Sequence, residues 1–240
     1  MRIVLVEPTI QHLLLALRLS TKYEVILIDA YAEVGTPSFQ VGMCKQPSVF
    51  DDILTQAERD FLQLGKGISG FGFRGEWLVK HLVRHCVNNG VHVYSRTTIL
   101  THEGHNKKSH LRLQSPPNLP HELEVDAVLV DASIQRKAPG NVNHTINTDL
   151  SFVHSTCSTV EWHGIMLPTS HYVPSGEDLV LHRGDGCTEV WSKNDPMSNS
   201  YVMEQWTSSM SDEIEELYLE HIKQQTHHIE KALHNHLSEA

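Results

Sequence analysis

Two continuously apolar runs flank an apolar helical run at the start of the chain, and no other feature constrains its fold as strongly. Ile3-Val4-Leu5-Val6 has the uninterrupted apolar character of a parallel strand buried on both faces. Leu13 to Leu19 is a helical run, and Val25-Ile26-Leu27-Ile28 is a second strand, closed by Asp29. This is a βαβ unit. Where such a unit binds a dinucleotide, its strand-to-helix turn carries GxGxxG. The glycines allow the tight turn, the close approach of backbone to pyrophosphate and the packing of helix on sheet. Here the three glycine positions are Glu7, Thr9 and His12. Glu7 sets a carboxylate at a helix N-terminus, where a dinucleotide brings negative charge of its own, so this turn is expected to repel the anion it should attract.

At 240 residues the chain is long enough to bury a proper core as one large domain, or as a nucleotide-type domain with a small appendage. The net charge of -10 and a pI near 5.9 argue against nucleic acid or an anionic membrane surface as partner, because either calls for a basic patch. Cys44, Cys86, Cys157 and Cys187 stand far apart with no CxxC, as expected for reduced thiols in a cytoplasmic protein. The chain enters its first strand without a basic leader. No apolar run approaches the ~18 residues that a membrane-spanning helix needs. The compositional oddity is histidine, with 18 residues.

Beyond the βαβ unit, Gly35 to Ser48 reads as a long surface loop and Val49 to Gln63 as a helix. A Gly-rich passage from Gly65 to Gly75 leads into a helix over Glu76 to Asn88, stopped by Gly90, and Val91 to Tyr94 alternates as a third strand. Ile99 to His102 and His110 to Gln114 suggest a hairpin around Gly104 to Lys108, and Ala127 to Val130 is a fourth apolar strand ending at Asp131. After Gly140 the pattern changes to short alternating stretches, and a helix is expected from about Ser211 to Leu237. The strands at 2–6, 24–28, 91–94 and 126–130 should form a mostly parallel central sheet. Residues 141–196 should form an antiparallel sheet or cover.

The order of these parts resembles the FAD-dependent oxidoreductase superfamily of aromatic-ring monooxygenases, geranylgeranyl reductases, lycopene cyclases and halogenases. The segments that carry the resemblance are the opening βαβ unit, GFGFRGEWLVKHL, GVHVYSRTTI and VDAVLVDAS, within roughly residues 2 to 137. The family's helix begins RxxF or RxxL, matched by Arg74 and Trp77. Its last landmark, DASG, is matched by Asp131, Ala132 and Ser133, with Ile134 in place of the glycine. The resemblance implies an α/β, Rossmann-like FAD-binding fold with a small antiparallel region and a C-terminal helix. It implies that Asp29 takes the place of the acid that binds the adenosine ribose, that the Ile99 backbone amide meets adenine, and that Arg74 and Asp131 face the cofactor. A further family landmark is a GD motif followed by a proline and a glycine-bearing helix. Gly184-Asp185, Pro196 and a helix from about Ser198 can be laid onto it, with Asn199 and Ser200 at the glycines. The other reading of the same residues is a hairpin, with Gly184-Asp185-Gly186 as its turn.

The division implied is a degenerate FAD-binding region over 1–140, an antiparallel cover or reduced substrate region over 141–196, and a helical segment over 197–240. His81 and His85, four apart on a helix with Cys86 beside them, have the spacing that aims two imidazoles at one ion. His154 with Cys157 is a second pair. His221, His227, His228, His234 and His236 crowd the terminal helix on several faces, as a solvated surface would. A metal site needs three or four ligands held by further partners, so no metal is expected. Asp51-Asp52 and Glu213 to Glu216 read as acids complementing helix N-termini.

Two functional classes follow. One is a small flavoprotein oxidoreductase or monooxygenase that binds FAD through Asp29, Arg74, Ile99, Asp131 and Asp185 with a non-standard turn at Glu7, Thr9 and His12. The other keeps the fold without standard cofactor binding, and takes a small molecule or dinucleotide in the crevice at the strand C-termini. Metal binding or assembly through histidine is a third. The stripe Ile214, Leu217, Tyr218, Ile222, Ile229, Leu233 and Leu237 should dock inside the chain or against a second copy in a homodimer.

Overall fold

The structure is a computed structural model that describes residues 1–34, 41–67, 70–105, 108–131, 144–154, 158–174, 176, 178–194 and 200–239. In chain order the first elements are β1 (Arg2–Val6), α1 (Ile10–Leu19), β2 (Glu24–Ile28), β3 (Gly42–Cys44), α2 (Gln56–Phe61), β4 (Gly65–Lys66), β5 (Phe71–Phe73) and α3 (Gly75–Asn88). They are followed by β6 (His92–Tyr94), β7 (Thr98–His105), β8 (Lys108–Gln114), β9 (Glu122–Val125), β10 (Ala127–Asp131) and β11 (Phe152–His154). The chain continues through β12 (Thr159–Pro168), β13 (Leu179–His182), β14 (Cys187–Ser192), β15 (Glu204–Ser211) and α4 (Leu219–Glu239). Two compact units divide these elements, residues 1–37, 82–156 and 223–240 in the first, and 38–81 and 157–222 in the second.

The first unit holds a five-stranded sheet in the order β11-β10-β1-β2-β6. Every pairing in it is parallel, and the expected four strands are all present. β1 is central, with Ile3, Val4 and Leu5 fully buried, which explains why its sequence does not alternate. Val4, Val6, Ile26, Ile28 and Val128 pack against Ile99, Leu111, Leu113, Leu123 and Val125 of the antiparallel sheet β7-β8-β9. Ile3, Leu5, Leu27 and Leu129 are equally buried and belong to the other face by the two-residue period of a strand. Each such side chain contributes about 1.5–3 kcal/mol. Gly90, at φ 81, takes the left-handed turn after α3 that a side chain resists.

The second unit is built on the antiparallel sheet β13-β14-β12-β15, beside the small sheet β3-β5-β4. Its core gathers Trp162, Trp191, Leu179, Leu181, Met43, Met210 and Tyr218. Gly164 has a packing reason: a Cβ there would lie 2.6 Å from the Trp191 ring.

Four expectations need correction. Residues 49–63 do not form one helix: a 3₁₀ turn over Pro47–Phe50 is separated from α2 by Thr55, whose extended backbone and capping box with Glu58 start a new helix. The stretch from Gly35 to Ser48 holds strand β3, while 35–40 lie outside the described residues. The helix expected from about Ser198 is replaced by β15, which runs in ladder with β12 from Glu204 to Ser211; Ser198 and Asn199 are not among the described residues. The terminal helix consequently begins at Leu219 rather than Ser211, after a 3₁₀ turn over Ile214–Leu217. The part of α4 in the first unit docks within the chain. Leu233 is fully buried, Glu230 pairs with Arg18 at 2.6 Å, and His234 Nδ1 is hydrogen-bonded with the Tyr23 hydroxyl at 2.8 Å.

Candidate functional site

In an open α/β sheet, ligands bind at the carboxyl ends of the strands where the strand order reverses. In the first unit that end carries Glu7 after β1, Asp29 after β2, Asp131 at the end of β10 and His154 at the end of β11. Glu7, Asp29 and His154 each make hydrogen bonds within the chain, and the Asp131 carboxylate acts on His154.

Glu7 stands at φ 51, the left-handed region that favours glycine and costs another residue about 1–2 kcal/mol. The turn thus has a backbone conformation that glycine favours, with a glutamate in it. Its backbone N–H donates to the Ile28 carbonyl at 3.0 Å. Thr9 is the N-cap of α1, and its hydroxyl accepts the His12 N–H at 3.2 Å. The first turn of the helix thus spends on its own side chain an N–H that a phosphate-binding turn directs at the ligand. His12 is fully buried, and its Nε2 lies 2.8 Å from Nε2 of His154, the rings meeting edge to face. Burial lowers the His154 pKa against the opposing pull of Asp131.

Asp29 is buried, and its Oδ1 accepts the Tyr31 N–H at 2.9 Å. Its main chain is held as well, N–H to Tyr94 and carbonyl from Thr97, both at 3.0 Å. This acid closes a turn in the Asx manner. At Ile99 the backbone N–H donates to His144 Nδ1 at 2.9 Å, and the carbonyl accepts the Thr145 N–H at 2.8 Å. An acceptor beside a donor is also what an adenine edge offers. His144 Nε2 in turn lies 3.9 Å from Glu7 Oε1, and burial pushes the His144 pKa down to about 4 in spite of that carboxylate.

Arg74 and Asp185 belong to the second unit. The Arg74 guanidinium donates to Glu76 at 2.7 Å and to Glu204 at 3.1 Å, and lies over the Trp77 ring. Its charge is met by two carboxylates of its own unit. Asp185 lies in the β13–β14 turn, pairs with Arg183, and accepts the Cys187 N–H at 3.1 Å; Gly186 follows at φ 81. Of the two readings of these residues, the hairpin is the one present. On α3, His81 faces Glu58 at 3.5 Å and the Phe61 ring. Among the described residues no group of three or more His, Cys, Asp or Glu side chains is arranged to hold a metal ion. Cys157 lies outside the described residues.

Sequence reasoning did not single out His102, His144 or the His12–His154 contact. The two residues of that contact are 142 apart and no local pattern joins them. His144 follows a stretch without periodicity, so nothing in the sequence pairs it with Ile99.

No protein-family model matches the sequence, and no curated protein matches it. Solved structures do match by shape. A geranylgeranyl bacteriochlorophyll reductase-like protein from Thermoplasma acidophilum superposes with a TM-score of 0.59 at 12% identity, covering 88% of this chain and 66% of its own. The fold is a Rossmann-like α/β fold of the FAD-binding type. The p-nitrophenol 4-monooxygenase of Pseudomonas putida matches with a TM-score of 0.57 at 10% identity, covering 86% of this chain and 67% of its own. An aromatic hydroxylase from angucycline biosynthesis gives 0.50 at 14% identity, with 88% and 52% covered. The chain therefore spans between about half and two thirds of the length of these three proteins. Among the described residues no helix is long and apolar enough to cross a membrane.

Proposed function

We propose that this chain is an FAD-oxidoreductase-like protein with an eroded phosphate turn, working in the cytoplasm as a binding protein rather than as a standard flavoenzyme. The single observation that carries the reading is Ile99: both of its main-chain groups are paired with His144 and Thr145, at the position where the resemblance puts adenine. The α1 N-terminus supports the same reading, since a carboxylate and a capping hydroxyl stand where pyrophosphate would. Arg74, the cation expected at the cofactor, is paired with Glu76 and Glu204. FAD does not fit these residues as they stand. The ligand this reading assigns to the crevice is a small molecule without a pyrophosphate, at the strand ends that carry Glu7 and Asp131.

A second reading, a small working flavoprotein, is favoured by the left-handed backbone of Glu7, which preserves the glycine turn. Thermal denaturation with FAD separates the two. A ligand at about 100 times its Kd adds about 2.7 kcal/mol of stability, so a true FAD site raises the melting temperature by several degrees. The proposal expects no shift for the native chain. It expects a measurable one for Glu7→Gly, Thr9→Gly and His12→Gly combined, since these remove the charge and the bulk from the turn. A shift of several degrees in the native chain would decide for the flavoprotein.

A further inference from the structure

Residues 144–151 run alongside β7, and the contacts recur at a constant offset. His144 meets Ile99 and Asn147 meets His102, three residues further along both segments. The Thr145 N–H adds a main-chain bond to the Ile99 carbonyl, and Ile146 packs against the core beneath. Leu150 lies over Gly104, where a Cβ would come within 2.7 Å of its Cδ2.

Two imidazoles hold this segment, and their tautomers are dictated by their partners. His144 Nδ1 accepts the Ile99 N–H, so its proton resides on Nε2, the side facing Glu7. His102 Nδ1 accepts the Asn147 N–H at 3.3 Å, so its Nε2 carries the proton and donates to Ser109 Oγ at 2.9 Å. Each ring thus offers its one lone pair to a backbone N–H. Protonation would place a hydrogen on that Nδ1, so that donor faces donor. We propose that residues 144–151 form an acid-released strap, latched to β7 by the neutral imidazoles of His144 and His102, whose release bares the N–H and carbonyl of Ile99.

The groups facing the two rings set the window. His144 is faced by the Ile99 N–H from β7 and by the Glu7 carboxylate after β1. That carboxylate favours the protonated ring, and burial opposes it. His102 is faced by the Ser109 hydroxyl from β8 and by the Asn147 N–H and Ser151 hydroxyl of the strap. Burial also lowers its pKa. Because both rings titrate lower when latched than when released, the released form binds more protons. The latch is at full strength above the ordinary histidine pKa of 6.5 and weakens as pH falls towards about 4. For His144 alone the opening equilibrium rises about tenfold per pH unit, or about 300-fold across that window.

This inference rests on the self-paired Ile99 edge and gives it a control. Its test uses no flavin, so it and the proposed function can fail separately. Amide hydrogen exchange, corrected for the intrinsic pH dependence, reads the opening equilibrium at single residues. Between about pH 6.5 and pH 4.5 the Ile99 amide should lose roughly 100-fold in protection. Leu5, Leu27 and Val128 in the central strands should keep theirs. His144→Asn supplies an acceptor near the Nδ1 position that does not titrate, and should flatten the response at Ile99. Constant protection at Ile99, the same loss in the variant, or a loss shared with the central strands would each overturn the strap. If the variant does not fold, the wild-type His144 ring can be titrated by NMR: a midpoint below 6.5 supports the latch, and one at or above it refutes it.

Discussion

Replacing Arg183 with Met should lower the stability of the chain by about 3–5 kcal/mol, the cost of leaving a buried carboxylate without its partner. The Arg183 side chain is almost wholly buried. It donates to Glu189 at 2.8 Å, pairs with Asp185, and lies over the Trp77 ring. Glu189 is buried too, and its other oxygen accepts the Trp191 indole N–H at 3.3 Å. Met removes the charge and roughly keeps the volume, so the loss reads the ion pair rather than a cavity. Chemical denaturation measures it. The double change Arg183→Met with Glu189→Gln should recover part of the loss, since the stranded charge goes with it. A single-variant loss below about 1 kcal/mol would place this pair among exposed salt bridges in energetic terms.

Leu233→Ala should cost about 2–5 kcal/mol, the range for deleting most of a large aliphatic side chain from a close-packed site. Leu233 is fully buried and Ile229 nearly so within the single chain, on the same face of α4 that sends Glu230 to Arg18 and His234 to Tyr23. The loss should be independent of protein concentration, because the helix packs on its own unit. If the melting temperature of the variant or the parent rose with concentration, the stripe would serve assembly with a second copy instead.

The parallel sheet was legible because its strands are buried on both faces and so lack alternation. Ile3 to Val6, Val25 to Ile28 and Ala127 to Val130 could be read directly, and their pairing follows from the helices between them. The β13–β14 hairpin was also foreseeable, since Asp185-Gly186 provides the turn. β15 was missed for a physical reason. Thr207-Ser208-Ser209 has little apolar pattern of its own, and the strand is fixed by its ladder with β12 and by the Trp162 indole donating to the Ser211 carbonyl at 3.0 Å. The departure of the turn from GxGxxG was visible at Glu7, Thr9 and His12. Its left-handed backbone was not, because a glutamate gives no sign of positive φ. The occupation of the Ile99 edge was invisible for a different reason. It joins residues 45 and 46 apart through one imidazole and one main-chain N–H, and histidines are too many in this chain for one to stand out.

The central claim is that the chain satisfies its own dinucleotide-binding groups and so leaves FAD no standard seat. The most direct test is the flavin content of the protein as purified at neutral pH, read from the visible spectrum and again after denaturation releases any bound cofactor. The account predicts a colourless protein that releases no flavin. One FAD released per chain would contradict it, and would mean that the strap at His144 and the turn at Glu7 yield to the cofactor in the native protein.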